Sequence, residues 1–376
     1  MSVIWVVMPK WGLSMESGRI TEWLVSEGDE VAEGDELCEI DTEKIAGALE
    51  STADGTLCRV IAAVGEVVPV GATIALVADA AVAEAAVEEA ARAAREELDA
   101  GVVEEVAGPE VGCVEVAGRS LAYARSGEAG TAVVLVHGFG GDKNSWLFVQ
   151  EPLAADHVVD AIDLPGHGES ATDVGDGSLA TLAAAVTGYL DARGIDRAHL
   201  VGHSLGGAVV TAAAAAAPDR VLSLTLVAPA GFGAAVNAAY LRGFAGATSR
   251  RELQPHLRAL FADESLATRQ LADDLMRHKR LDGVAEALAA LLGTLLTDDD
   301  RAGLDALSLL DGLDVPVMVV WGRQDAVLPF TNTAAFDGRR QAGQCEVRAV
   351  DDAGHMVHME RPSAVVEAVR ALTRPR

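Results

Sequence analysis

The residue best placed to do covalent chemistry is a serine, embedded in Leu200-Val201-Gly202-His203-Ser204-Leu205-Gly206-Gly207. An apolar, strand-like run precedes it and an alanine-rich helical run to residue 217 follows, which is the context a G-x-S-x-G turn needs. Glycines two residues before and after the serine permit a strained turn with close strand-to-helix packing, and they leave the hydroxyl exposed at the helix N-terminus. A serine hydroxyl is a weak nucleophile and requires a base that is itself oriented by an acid. Both follow later in the chain: Asp325 just past the run Val320-Trp321-Gly322, and His355 in Asp352-Ala353-Gly354-His355, just past the last strand-like run. Asp351 and Asp352 compete for the role of acid, but they are too near His355 in sequence to approach it from a neighbouring strand end. Acyl transfer also needs donors aimed at a developing oxyanion. In Val136-His137-Gly138-Phe139-Gly140-Gly141 the motif makes the amides of Phe139 and Leu205 the natural pair. His358, one turn beyond the base, reads as structural or substrate-facing.

A second position of chemical interest is a lysine. Only Lys10, Lys44, Lys143 and Lys279 occur in 376 residues. In Glu39-Ile40-Asp41-Thr42-Glu43-Lys44-Ile45, turn-prone polar residues separate two strand-like runs, which puts Lys44 at an exposed hairpin tip. The surrounding sequence repeats. Setting Gly28-Asp29-Glu30-Val31 against Gly65-Glu66-Val67-Val68 brings Gly34 onto Gly71, Leu37 onto Ile74 and Ile40 onto Val77, all at an offset of 37 residues. Two equivalent halves of short strands imply two small antiparallel sheets facing each other about a pseudo-twofold axis.

These chemistries must be held by different elements, and the charge pattern separates them. Residues 1–78 carry 4 basic and 14 acidic side chains, 79–112 carry 2 and 10, and the remainder 23 and 33. The second stretch is Ala/Glu/Arg with almost no bulky apolar residue, so it predicts a helix over 80–100 with no stripe to bury: an exposed, semi-rigid spacer ending in a Gly-Pro joint. From residue 113 onward, apolar β-branched runs alternate with helix-length segments, as in a mostly parallel sheet covered by helices. Strands are predicted near 114–116, 121–125, 133–136, 158–162, 198–201, 222–227, 315–320 and 345–350, with an all-helical cap over about 231–310.

The formal charge of −28 excludes nucleic acid and anionic membrane surfaces as partners. Four cysteines without C-x-x-C spacing point to reduced thiols and no cysteine-bound metal. With no secretory core or long apolar run, the expected location is cytoplasmic.

From Met8-Pro9-Lys10-Trp11-Gly12 through Glu27-Gly28-Asp29 to Asp41-Thr42-Glu43-Lys44, the first 78 residues resemble a lipoyl domain. The resemblance implies lipoate amide-linked to Lys44. Biotinyl domains share the fold but bracket their lysine with methionines, where Glu43 and Ile45 stand here. The elbow, the His137-Gly138 loop and Asp163-Leu164-Pro165-Gly166-His167-Gly168-Glu169-Ser170 make residues 113–376 resemble an α/β-hydrolase with a helical cap, and a serine at the elbow argues against the branches that place Asp there. His278-Lys279-Arg280-Leu281-Asp282-Gly283 matches the H-x-x-x-D-G pattern of the usual lipoyl-dependent acyltransferases, but it falls inside the cap with over 90 residues to follow and is read as a coincidence.

The combination resembles the dihydrolipoamide acetyltransferase component of bacterial acetoin dehydrogenase systems. That resemblance implies an acetyl group passed from lipoyl-Lys44 by way of Ser204 to CoA. It also implies a thiamine-diphosphate-dependent acetoin-cleaving enzyme and dihydrolipoamide dehydrogenase as partners, and it is compatible with a homo-oligomer. The competing readings are a thioesterase that uses water instead of CoA, and a lipoyl carrier whose hydrolase-like domain is a scaffold.

Overall fold

The 37-residue repeat reappears as symmetry between two sheets. In the computed structural model, which describes residues 3–9, 15–32, 34–42, 46–79, 82–101 and 108–374, the chain divides into the units Met1–Gly108 and Pro109–Arg376. The first holds β1 (Val3–Val7), β2 (Ser17–Trp23), β3 (Glu30–Val31), β4 (Glu36–Asp41), β5 (Ala46–Glu50), β6 (Gly55–Val60), β7 (Val67–Pro69) and β8 (Thr73–Ala78). One sheet runs β1-β8-β6-β3 and the other β5-β4-β2-β7. The two orders correspond strand for strand, with β2, β3 and β4 mapping onto β6, β7 and β8. The matched apolar positions Leu37 and Ile74, and Ile40 and Val77, are buried in equivalent places. The matched glycines Gly28 and Gly65 both take positive φ, 97° and 87°, at turns where a side chain would be strained.

Helix α1 (Glu84–Ala100) differs from the expected free spacer, because it packs on this unit. Val87 and Ala94 lie buried against Ile61 and Leu76, flanked by Ala90 and Ala91. Arg95 reaches back to Glu66 at 2.9 Å and to the carbonyl of Ile61 at 3.1 Å, and Arg59 pairs with Glu88. Val87, Leu98 and the alanines between them suffice as a stripe, because small side chains let the helix axis approach the sheet closely. Gly101, at φ 66°, ends the helix in a left-handed cap.

The second unit begins slightly earlier than residue 113. Glu110–Val116 forms β9, an edge strand paired antiparallel with β10 (Arg119–Ser126). There follow β11 (Ala132–Val136), α2 (Leu147–Ala154), β12 (Val158–Ile162), α3 (Leu179–Ala192), β13 (Ala198–His203), α4 (Leu205–Ala216) and β14 (Val221–Val227). The predicted cap is helical: α5 (Ala238–Gly246), α6 (Arg250–Arg258), α7 (Arg269–Lys279) and α8 (Val284–Leu295), with the short α9 (Leu307–Leu310) leading back to the sheet. The chain closes with β15 (Val317–Gly322), α10 (Asp337–Gln341), β16 (Cys345–Val350), α11 (Val357–Glu360) and α12 (Pro362–Thr373).

The eight-stranded sheet runs β16-β15-β14-β13-β11-β12-β10-β9 and is parallel from β12 to β16. All eight strands predicted for this region are present. On one face α3, α4 and the cap share a single apolar core that includes Phe139, Leu241, Phe244, Leu257 and Leu291, so the cap is packed into the domain rather than laid upon it. Among the described residues no helix is long and apolar enough to cross a membrane, and no group of three or more His, Cys, Asp or Glu is placed to hold a metal ion.

Candidate active site

Parallel strands deliver their carboxyl ends to one edge of the sheet, and loops leaving that edge are where α/β folds build sites. Ser204 directly follows β13, the Phe139 loop follows β11, and Asp325 and His355 follow β15 and β16. Strands β11 and β13 are neighbours with Val136 opposite Gly202, which brings Phe139 and Leu205 to the same end of adjacent strands although 66 residues separate them.

Ser204 adopts φ 52°, ψ −118°, a backbone conformation that costs a non-glycine residue on the order of 1–3 kcal/mol and is held by its surroundings. Its amide donates to Val227 O at 3.0 Å, and its carbonyl accepts from Gly207 N and Ala230 N, both at 2.9 Å. The flanking glycines are there because nothing else fits. A Cβ on Gly202 would stand 2.3 Å from Gly206 O, and one on Gly206 would stand 2.2 Å from Val136 O. Neither the Phe139 nor the Leu205 amide is spent on another acceptor among the described residues.

The structure brings Asp325 and His355 together. His355 Nδ1 donates to Asp325 Oδ2 at 2.8 Å, with both side chains buried. A carboxylate accepts, so the imidazole proton sits on Nδ1 and Nε2 is left as the basic nitrogen. Three further donors fix the carboxylate: Val327 N and Leu328 N on Oδ1, each at 2.8 Å, and Trp321 Nε1 on Oδ2 at 3.1 Å. Of the two competing acids, Asp351 is instead an exposed partner of Arg323 at 2.7 Å, and Asp352 is exposed with no hydrogen bond to the ring.

Neutral histidines support the Phe139 loop. His137 donates from Nδ1 to Gly138 O at 2.7 Å and accepts at Nε2 from Leu164 N at 3.0 Å. His167 donates to Pro165 O and accepts from Gly140 N at 3.0 Å. Burial pushes both rings below the ordinary histidine range, His167 well below it. Underneath, the buried Lys143 ammonium bridges Asp163 at 2.9 Å and Glu169 at 2.7 Å, which accounts for the acidic residues of the Asp163–Ser170 motif as scaffold.

Beside Ser204 lies a narrow cavity of about 20 Å³ whose apolar wall includes Phe139, Val236, Leu241, Leu304 and Val327. Among the described residues no hydrogen bond links His278 to Ser204, Asp325 or His355. Burial lowers the basicity of His278, against an opposing pull from Asp142 and Asp163, and Asp282 is exposed with no hydrogen bond to its ring. Sequence reasoning passed over His203, the residue between the elbow's first glycine and its serine, and Trp321, four residues before Asp325. In hindsight both sit inside motifs already singled out.

Lys44 lies outside the described residues. Its flanking strands do not: β4 and β5 pair antiparallel with Asp41 opposite Ala46, so residues 42–45 join two paired strands.

The family described as a biotin-requiring enzyme domain matches residues 5–77, and the alpha/beta hydrolase fold family matches residues 131–362. Over 371 residues, 98% of both chains, the sequence is 43% identical to the dihydrolipoyllysine-residue acetyltransferase component of the acetoin cleaving system of Pseudomonas putida. It is 44% identical to the protein of the same description from Cupriavidus necator, over 96% of this chain and 94% of that one. This chain belongs to that acetyltransferase family. Its hydrolase unit also resembles the crystal structure of a membrane phospholipase A, with a TM-score of 0.60 and 27% identity over 70% of this chain and 87% of that one. The family thus unites the two units in one chain, the second having the alpha/beta hydrolase fold.

Proposed function

We propose that this chain transfers an acetyl group from lipoyl-Lys44 through Ser204 to CoA, as the acetyltransferase component of an acetoin-cleaving complex. The observation that carries the reading is that one chain holds both a lipoyl-type unit and a serine on a strained strand-to-helix turn, at the same sheet edge as a His355 whose Nδ1 lies 2.8 Å from a fully anchored Asp325 carboxylate.

Lipoate on Lys44 would supply the acetyl group as a thioester. A lysine within the four residues joining two paired strands suits that tether, and tethering holds the donor at an effective concentration of about millimolar. His355 Nε2 takes the Ser204 Oγ proton as the serine attacks the thioester carbonyl. The Phe139 and Leu205 amides stabilise the oxyanion, and His355 then returns the proton to the departing thiol. In the second half-reaction His355 removes the proton from the CoA thiol, which attacks the acyl-serine and releases acetyl-CoA. Asp325 keeps the imidazole in the tautomer that both steps need and stabilises the imidazolium that forms between them.

The cap excludes bulk water from the acyl-serine, which favours a thiol acceptor over hydrolysis. The partners this role requires are a thiamine-diphosphate-dependent acetoin-cleaving enzyme, which supplies the acetyl group, and dihydrolipoamide dehydrogenase, which reoxidises the dithiol. The test is to give the purified protein S-acetyl-dihydrolipoamide with and without CoA and to measure acetyl-CoA against acetate. Ser204-dependent, CoA-dependent acetyl-CoA formation is expected. Acetate released at the same rate in both cases, without acetyl-CoA, would make the chain a thioesterase, and no Ser204-dependent turnover would make the second unit a scaffold.

A further inference from the structure

The serine reading needs His355 Nε2 aimed at Ser204 Oγ, yet His355 is borne on a loop leaving the far edge of the sheet, with β15 and β14 lying between its strand and that of the nucleophile. Something must fix the distance between the two loops. The Asp325 bond orients the ring but leaves the main chain of residue 355 to be placed by other contacts.

Two such contacts exist. His355 N donates to Leu260 O at 2.8 Å, and His355 O lies 3.0 Å from His203 Nε2. A carbonyl only accepts, so His203 carries its proton on Nε2, the tautomer opposite to those of His137 and His167. His203 immediately precedes the nucleophile. Its own main chain is held in β13, and its ring is wedged against the Phe139 loop so tightly that a Cβ on Gly138 would come within 2.8 Å of Nδ1.

The other face of the ring is also held. His203 and His355 have ring centroids 4.7 Å apart, His203 and His358 4.5 Å, and His358 and Trp146 4.3 Å. This run of rings is buried, and neither nitrogen of His358 has a hydrogen-bond partner among the described residues. Burial together with the neighbouring imidazoles keeps His203 well below the ordinary histidine range and His358 down to about 3, so both stay neutral and the Nε2 donor of His203 is constant near neutral pH.

We infer that His203 is a positioning residue for the reaction: its Nε2–H, braced by the His358–Trp146 stack, ties the main chain of His355 to the residue next to Ser204 and so sets the reach of the base to the nucleophile. The inference rests on the Ser204 reading, since without a base at His355 there is nothing to position. It also assigns His358, expected to be structural or substrate-facing, to the brace.

The experiment compares His203→Leu, which fills much of the space without a donor, with His203→Gln, whose side-chain amide can put an N–H where Nε2 stands. Steady-state transfer from S-acetyl-dihydrolipoamide to CoA and the rate of fluorophosphonate labelling are measured on the full chain, with Ser204→Ala alongside. A misplacement of the base by about 1 Å costs on the order of 10²-fold in rate, so His203→Leu is expected to lower kcat by about 30- to 100-fold with KM for the donor within about twofold. His203→Gln is expected to recover most of that loss in both assays. His203→Met replaces the leucine variant if circular dichroism shows that variant unfolded, and is compared with glutamine in the same way. Wild-type kcat in the donor-free variant, or a glutamine variant as slow as the donor-free one, would overturn the inference. Turnover that persists in Ser204→Ala would instead overturn the serine reading itself, whatever the His203 variants do.

Discussion

Replacing Asp325 with asparagine tests the acid's role with almost no change of shape, and the hydrogen bonds dictate the outcome. Oδ1 accepts from two backbone amides, so an amide nitrogen at that site would face two donors. The asparagine must therefore keep its oxygen on Val327 N and Leu328 N and turn its NH₂ toward Trp321 and His355. Trp321 Nε1 retains its second acceptor, Leu328 O at 3.0 Å, so the loss of stability stays near about 1 kcal/mol, the low end for an unmade bond. The imidazole has no such alternative. It must accept at Nδ1 from the new NH₂, which moves its proton to Nε2 and removes the basic nitrogen that would deprotonate Ser204. The same tautomer error in a serine triad costs about 10⁴-fold, so kcat is expected to fall by about 10³- to 10⁴-fold, or about 4–5.5 kcal/mol of barrier, with donor KM little changed. The assay is stopped-flow release of the free thiol under single-turnover conditions, with thermal unfolding of both proteins in parallel. A variant within tenfold of wild type would refute the reasoning, because Asp325 would then not set the tautomer of His355.

Further expectations follow from burial and contact geometry. Burial holds His358 down to about 3 and His199 to about 4, while unfolded histidines titrate near 6.5. Below pH 6.5 the unfolded chain therefore binds more protons, and each such histidine should remove up to about 1.4 kcal/mol of stability per pH unit as pH falls; urea unfolding from pH 7.5 to 5 should show this slope, and His358→Phe should flatten it by one histidine's share. Gly206→Ala would force its methyl to within 2.2 Å of Val136 O and should cost about 1–3 kcal/mol or prevent folding, whereas Gly293→Ala on the open face of α8 should stabilise by about 0.5–1 kcal/mol; differential scanning calorimetry separates them. Val87→Asp places a charge between α1 and the Ile61–Leu76 surface and should release the helix, so amide exchange over residues 84–100 should accelerate while strands β9–β16 keep their protection.

Much of this organisation was legible because it rests on local rules. The offset-37 repeat anticipated two matching sheets, since equivalent glycine turns and buried positions must recur when a half-domain is duplicated. The elbow was legible because its residue types and spacing are local, even though the contact that keeps Gly206 a glycine comes from the distant Val136 carbonyl. What escaped the sequence depends on contacts between distant segments. Helix α1 docks through Val87, Ala90, Ala91, Ala94 and Leu98, which keep a helical period, but three of the five are alanines that add little apolar signal to an Ala/Glu-rich run. The tie from His203 to His355 joins residues 152 positions apart, and nothing local distinguishes His203 from any other residue that the elbow tolerates. Asp325, rather than Asp351 or Asp352, faces the His355 ring because strand order, and not proximity in sequence, decides which carboxylate reaches it.

Transfer through Ser204 requires an acetyl group to rest on its hydroxyl oxygen between the two half-reactions. Acid-quenching the protein with S-acetyl-dihydrolipoamide in the absence of CoA, followed by peptide mass spectrometry, should find an acetyl increment on the peptide that carries Ser204, discharged to acetyl-CoA when CoA is added before the quench. Continued acetyl-CoA formation with no acetylated Ser204 peptide at any time, and undiminished in Ser204→Ala, would contradict it.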